Sequence, residues 1–293
     1  METITFNDVK ISFPQEQGVV IEQLNTIIQP KHITAIVGAS GSGKSVLGKS
    51  IVGLLNRAEV TGKILYGNTL LTPDIQQSLR GQRVFYIPQD PATALNPSLT
   101  IREQMEDTLY FHQHIQGDIA LDKIKQELLA YAFEDVDRIL NSYPSQLSGG
   151  MQQRVICALA SVIKPQWIVA DEPTKGLDAI SRKWVYRLFL SMQEYLKNSM
   201  IIITHDLDFA EHISDYIIVM EKGRIVEEGL TDAVIHNPVS KYMQSLLASM
   251  SKRMISQKLI ISLNVTIWGF LEINNIILFM MCLLPYVVGR RMV

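Results

Sequence analysis

The sequence predicts an α/β protein with a mainly parallel sheet covered by helices and a helical subdomain inserted into it. Three observations carry this. Short apolar runs alternate with longer amphipathic patterns, a glycine-rich loop joins one such run directly to a helix, and strand signals cease between Asn96 and Leu147. The 293 residues are long enough to bury a sizeable core, and 27 basic against 29 acidic residues leave a formal charge of −2. That balance provides no bulk attraction to nucleic acid or anionic lipid, so no nucleic-acid partner is expected.

Taken in order, the opening METITFNDVKISF alternates as a strand does and has no basic segment followed by an apolar one, so nothing in it resembles a signal peptide. HITAIVG then precedes GKSVLGKSIVGLL, the first strand and helix pair. Thr100 and Glu103 stand at capping-box spacing and open REQMEDTLYFHQHI, which DKIKQELLAYAFEDVDRIL follows, so this region reads as helical. QWIVAD leads into AISRKWVYRLFLSMQEYL, SMIIITHD into LDFAEHI, and YIIVMEKG comes last. The two cysteines, Cys157 and Cys282, have neither metal-ligand nor disulfide-framework spacing and read as inert thiols.

The chemistry concentrates in three places. Gly38, Ala39, Ser40, Gly41, Ser42, Gly43, Lys44 and Ser45 form G-x-x-x-x-G-K-[ST] between strand and helix. Glycines let consecutive N–H groups converge on phosphate oxygens, and the helix N-terminus adds positive potential. Lys44 would reach the β- and γ-phosphates and Ser45 would offer its hydroxyl to Mg²⁺. In WIVADE, an apolar strand delivers Asp171 and Glu172 to its C-terminal tip, where ligands of such sheets sit. Asp171 is then expected to hold Mg²⁺ and Glu172 to polarise an attacking water, the two needs of phosphoryl transfer. Ser148, Gly149 and Gly150 precede a helix with an apolar stripe at Val155, Leu159, Val162 and Ile163, presenting a second polar helix N-terminus to solvent.

LSGGMQQR, Leu147 to Arg154, resembles the signature motif of the ABC ATPases almost letter for letter. The resemblance implies a P-loop core with a mainly parallel sheet, an antiparallel β edge and a helical subdomain over about 96–165, all within a cassette spanning 1–250. It also implies ATP and Mg²⁺ as cofactors, and a head-to-tail dimer in which Ser148, Gly149 and Gly150 serve the ATP of the partner subunit. By the same resemblance, Gln89 senses Mg²⁺ and the attacking water, His205 contacts the γ-phosphate, and Asp178 is the D-loop aspartate. Phe13 stands where the family places an aromatic against adenine, although a lone aromatic near a strand end serves equally well as core. The remaining histidines, His32, His112, His114, His212 and His236, read as surface or capping residues.

QDPATALNPSLTI and YPSQLSGGMQQR narrow the resemblance to the oligopeptide, dipeptide and nickel permease ATPases, and GKSV points to the first of their two ATPase subunits. The implied partners are a second, non-identical ATPase subunit, two transmembrane permease subunits and, indirectly, an extracytoplasmic solute-binding protein. The implied place is the cytoplasmic face of the cell membrane. The cargo is an oligopeptide or dipeptide, with nickel or a metal chelate as the alternative. The chain departs from the branch in KGLD, in NPVSKYMQSLL, which lacks the usual His-Pro before its tyrosine, and in the family's C-terminal extension, which is not recognisable. Instead, 251–293 is an atypical apolar tail. Glu272, Asn264, Asn274 and Asn275 disfavour a membrane span, and IILFMMCLLPYVV has no polar face with which to pack as a surface helix. A passenger segment read out of frame fits this composition, with an anchor as the competing reading.

Overall fold

The structure, a computed structural model, describes residues 1–15, 18–176 and 179–249. The expectations for Asp178, Cys282 and the segment beyond residue 250 lie outside the described residues. The chain divides into two compact units, Met1–Met243 and Gln244–Val293, and the first carries both sheets and every element discussed below.

Among the described residues the strands are β1 Ile4–Phe13, β2 Gly18–Ile28, β3 Ile33–Val37, β4 Glu59–Tyr66, β5 Thr69–Leu70, β6 Val84–Ile87, β7 Trp167–Asp171, β8 Ser199–Thr204, β9 Tyr216–Glu221 and β10 Arg224–Leu230. The named helices are α1 Lys44–Val52, α2 Pro73–Leu79, α3 Ile101–Gln113, α4 Asp118–Ala130, α5 Val136–Leu140, α6 Gly149–Ile163, α7 Ala179–Leu196, α8 Leu207–Ile213 and α9 Thr231–His236.

The larger sheet has the order β10-β9-β3-β8-β7-β6. Its pairings are parallel except between β9 and β10, so the mainly parallel sheet with an antiparallel edge is present as expected. The first strands do more than extend that edge. They form a separate four-stranded antiparallel sheet, β2-β1-β4-β5, whose two long strands β1 and β2 largely alternate buried and exposed residues, as a sheet with one apolar face to pack does.

Strands β3, β7 and β8 are buried at every residue, as a parallel sheet covered on both faces requires. The pleat sorts their side chains between two cores. Trp167, Val169, Ile201 and Ile203 join α1 and the antiparallel sheet, while Ile168, Ala170, Met200 and Ile202 join the helical side. No strand occurs between β6 and β7, which bounds the helical insertion. There α3 buries Ile101, Met105 and Leu109, and α4 buries Ala120, Ile124 and Leu128, each set repeating every four residues. The Thr100–Glu103 capping box forms at the start of α3. Among the described residues, no helix is long and apolar enough to cross a membrane.

Candidate active site

Parallel register brings the site residues to one edge. Val37 pairs with Thr204, Ile203 with Asp171, and Ala170 with Ile87. The chain therefore leaves β3 at Gly38, β8 at His205, β7 at Glu172 and β6 towards Gln89, all at the same end of four adjacent strands. Ligands of open parallel sheets collect at this C-terminal end.

The loop Gly38–Ser45 turns back tightly over the tip of β9. Gly38 has φ 154°, and a Cβ there would lie 2.2 Å from the Met220 carbonyl oxygen, so no other residue fits without displacing backbone. Gly43 caps α1 with φ 98° and no side-chain hydrogen bond, and the first turn of α1 contains no acidic residue. That helix end therefore keeps its N–H groups and its positive potential for an anion. The turn between β9 and β10 braces the loop from below, where Gly223 N–H donates to the Ser42 carbonyl at 3.0 Å.

Lys44 is 5% exposed. Its Nζ donates to the carbonyls of Gly38 at 2.8 Å and Ala39 at 2.9 Å, and to Ser42 Oγ at 3.4 Å. Burial lowers its pKa, and the Glu172 and Asp171 carboxylates partly offset this. Ser45 Oγ donates to Asp171 Oδ1 at 2.9 Å, and the Tyr86 hydroxyl, from β6, donates to Asp171 Oδ2 at 2.9 Å. Glu172 has φ 47°, an uncommon left-handed conformation for a residue with a side chain. Its N–H donates to the Ile203 carbonyl at 2.7 Å, which ties it to β8. Its Oε2 lies 2.7 Å from His205 Nδ1, pairing a largely buried carboxylate with a half-exposed imidazole.

The structure thus brings Lys44, the bonded pair Ser45–Asp171 and the bonded pair Glu172–His205 to one sheet end, with Gln89 exposed two residues beyond β6. Ser148, Gly149 and Gly150 stand apart from it in the bonding pattern. Ser148 caps α6 by accepting from Met151 N–H at 3.3 Å, and a Cβ added to Gly149 or Gly150 would meet nothing within 4 Å, so this helix end faces open space. Phe13 is half-buried, packs against the core around α1, and borders a recess with Gln15, Leu55, Asn56 and Arg57.

The side chains of Ser45 and Asp171 offer oxygen donors only, which suits a hard cation such as Mg²⁺. Among the described residues there is no group of three or more His, Cys, Asp or Glu side chains able to hold a metal by themselves. A cation here would therefore have to complete its shell with phosphate oxygens and water, the usual arrangement for nucleotide-bound Mg²⁺.

Two contacts escaped the sequence reading. One is Tyr86 on Asp171. The other is Tyr242, whose hydroxyl accepts from Ala39 N–H at 2.8 Å. With Lys44 on its carbonyl, Ala39 is held on both sides. No spacing rule links positions 203 residues apart. Replacing Tyr242 with Phe should loosen the loop and weaken ATP binding about threefold to tenfold, the worth of one net hydrogen bond. Titration with a fluorescent ATP analogue checks this. His112 also differs from expectation: it is partly buried, its Nδ1 has no hydrogen-bond partner among the described residues, and burial lowers its pKa. Cys157 is fully buried with its thiol pushed up to about 12, as suits an inert thiol.

Residues 21–175 match the ABC transporter family. The Metal-staphylopine import system ATP-binding protein CntD of Staphylococcus aureus is 34% identical over 86% of this chain and 94% of its own length. The Oligopeptide transport ATP-binding protein OppD of Bacillus subtilis is 35% identical over 83% and 70%. The Dipeptide transport ATP-binding protein DppD of the same organism is 34% identical over 86% and 77%. Among solved structures, the dimeric ATP-binding cassette MJ0796 in a post-hydrolysis state with ADP and Pi superposes with a TM-score of 0.68, at 27% identity over 78% of this chain and 98% of that one. The cbiO1 protein of Clostridium perfringens, part of the cbiONQ transporter complex, gives a TM-score of 0.68 at 25% identity over 80% and 90%.

Proposed function

This chain belongs to the ABC transporter family of ATP-binding proteins, and from that premise we propose that it is the ATP-hydrolysing subunit of an importer for oligopeptides or dipeptides. The observation that carries the catalytic part is the convergence of Lys44, the Ser45–Asp171 contact and the Glu172–His205 pair on one sheet end. In this reading the loop N–H groups and Lys44 would hold the phosphates, and Ser45, Asp171 and Gln89 would hold Mg²⁺, whose charge would offset that developing on the phosphate oxygens. Glu172 orients and deprotonates the attacking water. His205, held by Glu172, presents its other ring nitrogen towards the γ-phosphate.

The open N-terminus of α6 supports a composite site. Ser148 has its own helix to cap and nothing of this chain's phosphate loop to bind, so it serves ATP on a second ATPase subunit. A bulky cation tests this. Ser148→Arg should leave ATP binding by this chain within about twofold of wild type while reducing turnover of the assembled transporter about a hundredfold, since a displaced transition-state donor has that order of effect. Equal loss of binding by the isolated chain would place Ser148 in cis.

The further partners are two permease subunits and, through them, a solute-binding protein, with the chain peripheral on the cytoplasmic face of the membrane. Metal-chelate import is the second reading, supported by the staphylopine-system relative, which at 34% identity is as similar to this chain as the two peptide-transport relatives at 34–35%. Measuring ATP turnover of the reconstituted complex with its binding protein loaded first with a dipeptide or oligopeptide, then with a metal chelate, separates the two.

A further inference from the structure

We propose that Tyr86 is a positioning residue for the divalent cation: its hydroxyl holds Asp171 Oδ2 and so reserves Oδ1, the oxygen facing Ser45, for the metal. The inference rests on the ATP and Mg²⁺ reading above.

Asp171 closes β7 and is 2% exposed. Both of its oxygens are engaged, Oδ1 by Ser45 Oγ and Oδ2 by Tyr86, each at 2.9 Å. The two donors are not equivalent. Ser45 heads the helix that follows the phosphate loop, and its hydroxyl is itself a metal donor by type. When it turns to a cation, it vacates Oδ1. Tyr86 sits on β6, paired in register with Val169 of β7, and its half-buried side chain packs against the core that contains Trp167, Val169 and Ile203. Neither its backbone nor its ring is free to follow a ligand, so its bond to Oδ2 persists. Without it, the carboxylate rotates about its terminal torsion, which is broad for an aspartate, and can turn either oxygen towards the cation.

Partners of this kind, which orient a ligating carboxylate, typically change metal affinity tenfold to a hundredfold when lost.

The test uses the full chain with Mn²⁺ as a spin-active substitute for Mg²⁺ and a non-hydrolysable ATP analogue. Tyr86→Phe keeps the ring and deletes only the hydroxyl. We expect Mn²⁺ affinity of the nucleotide-bound protein, read by electron paramagnetic resonance, to fall about tenfold. Analogue binding in EDTA and the thermal midpoint should remain those of wild type. A Tyr86→Phe protein with wild-type Mn²⁺ affinity overturns the proposal, and so does one that loses metal-free nucleotide binding to the same extent. Tyr86→Leu, which also removes the ring, serves as the packing control: if it is impaired while Tyr86→Phe is normal, Tyr86 acts through packing alone. If wild type itself shows no cation-dependent nucleotide binding, the ATP and Mg²⁺ reading falls and takes this inference with it. If wild type does and Tyr86→Phe matches it, only the role of Tyr86 falls.

Discussion

Glu172→Gln should bind ATP as wild type does and hydrolyse it about a hundred to ten thousand times more slowly, the usual contribution of a positioned general base. The amide keeps the size of the side chain, and the backbone anchor from Glu172 N–H to the Ile203 carbonyl does not depend on the side chain at all. The left-handed conformation at φ 47° is therefore retained. What is lost is the carboxylate that accepts a proton and pairs with His205 Nδ1 at 2.7 Å. ATP-bound dimers should accumulate, visible by size-exclusion chromatography, while single-turnover assays report the chemical step directly. Turnover at the wild-type rate would mean that another group is the base.

Lys44→Ala should act on binding as well as on chemistry. The ammonium is the one cation placed inside the loop by a set of bonds to the loop's own atoms, the Gly38 and Ala39 carbonyls and Ser42 Oγ. Charge-assisted hydrogen bonds to phosphate are worth about 1.5–3 kcal/mol each. Losing even one costs roughly tenfold to a hundredfold in ATP affinity, and hydrolysis should fall below detection because the same charge is needed as the γ-phosphate departs. Gly38 and Gly43 keep the loop's curvature in the variant, so its fold is expected to persist; a thermal melt checks that. Unchanged nucleotide binding would remove the phosphate-loop assignment.

The site was legible in the sequence wherever its geometry is local. The run Gly38–Ser45 declares itself because each residue's duty is set by its neighbours a few positions away: glycines permit the curl, and Lys44 and Ser45 open α1. The place of Asp171 and Glu172 was legible because a fully apolar strand carries them to its C-terminal tip; alone, such a pair is most often a solvated strand end, and the Gly38–Ser45 loop upstream is what singled it out. The helical insertion was equally open to reading, since the four-residue repeat of Ile101, Met105 and Leu109 and the Thr100–Glu103 box are properties of one helix.

What the sequence determined by itself is therefore the set of local devices: the loop, the strand tip, the cap of α6 and the alternation that dictates an α/β core. Only the tertiary structure decided which devices meet. The order β3-β8-β7-β6 places His205 against Glu172 and Tyr86 against Asp171, the latter 85 residues apart. The return of the chain after β10 and α9 brings Tyr242 to Ala39. The separation of β1, β2, β4 and β5 into their own sheet belongs to the same class. The physical reason is that a strand's pattern fixes which faces it must bury but not which neighbour buries them. Parallel strands of similar apolar character are interchangeable by pattern, and the choice among them is made by crossover connections and by packing over the whole core.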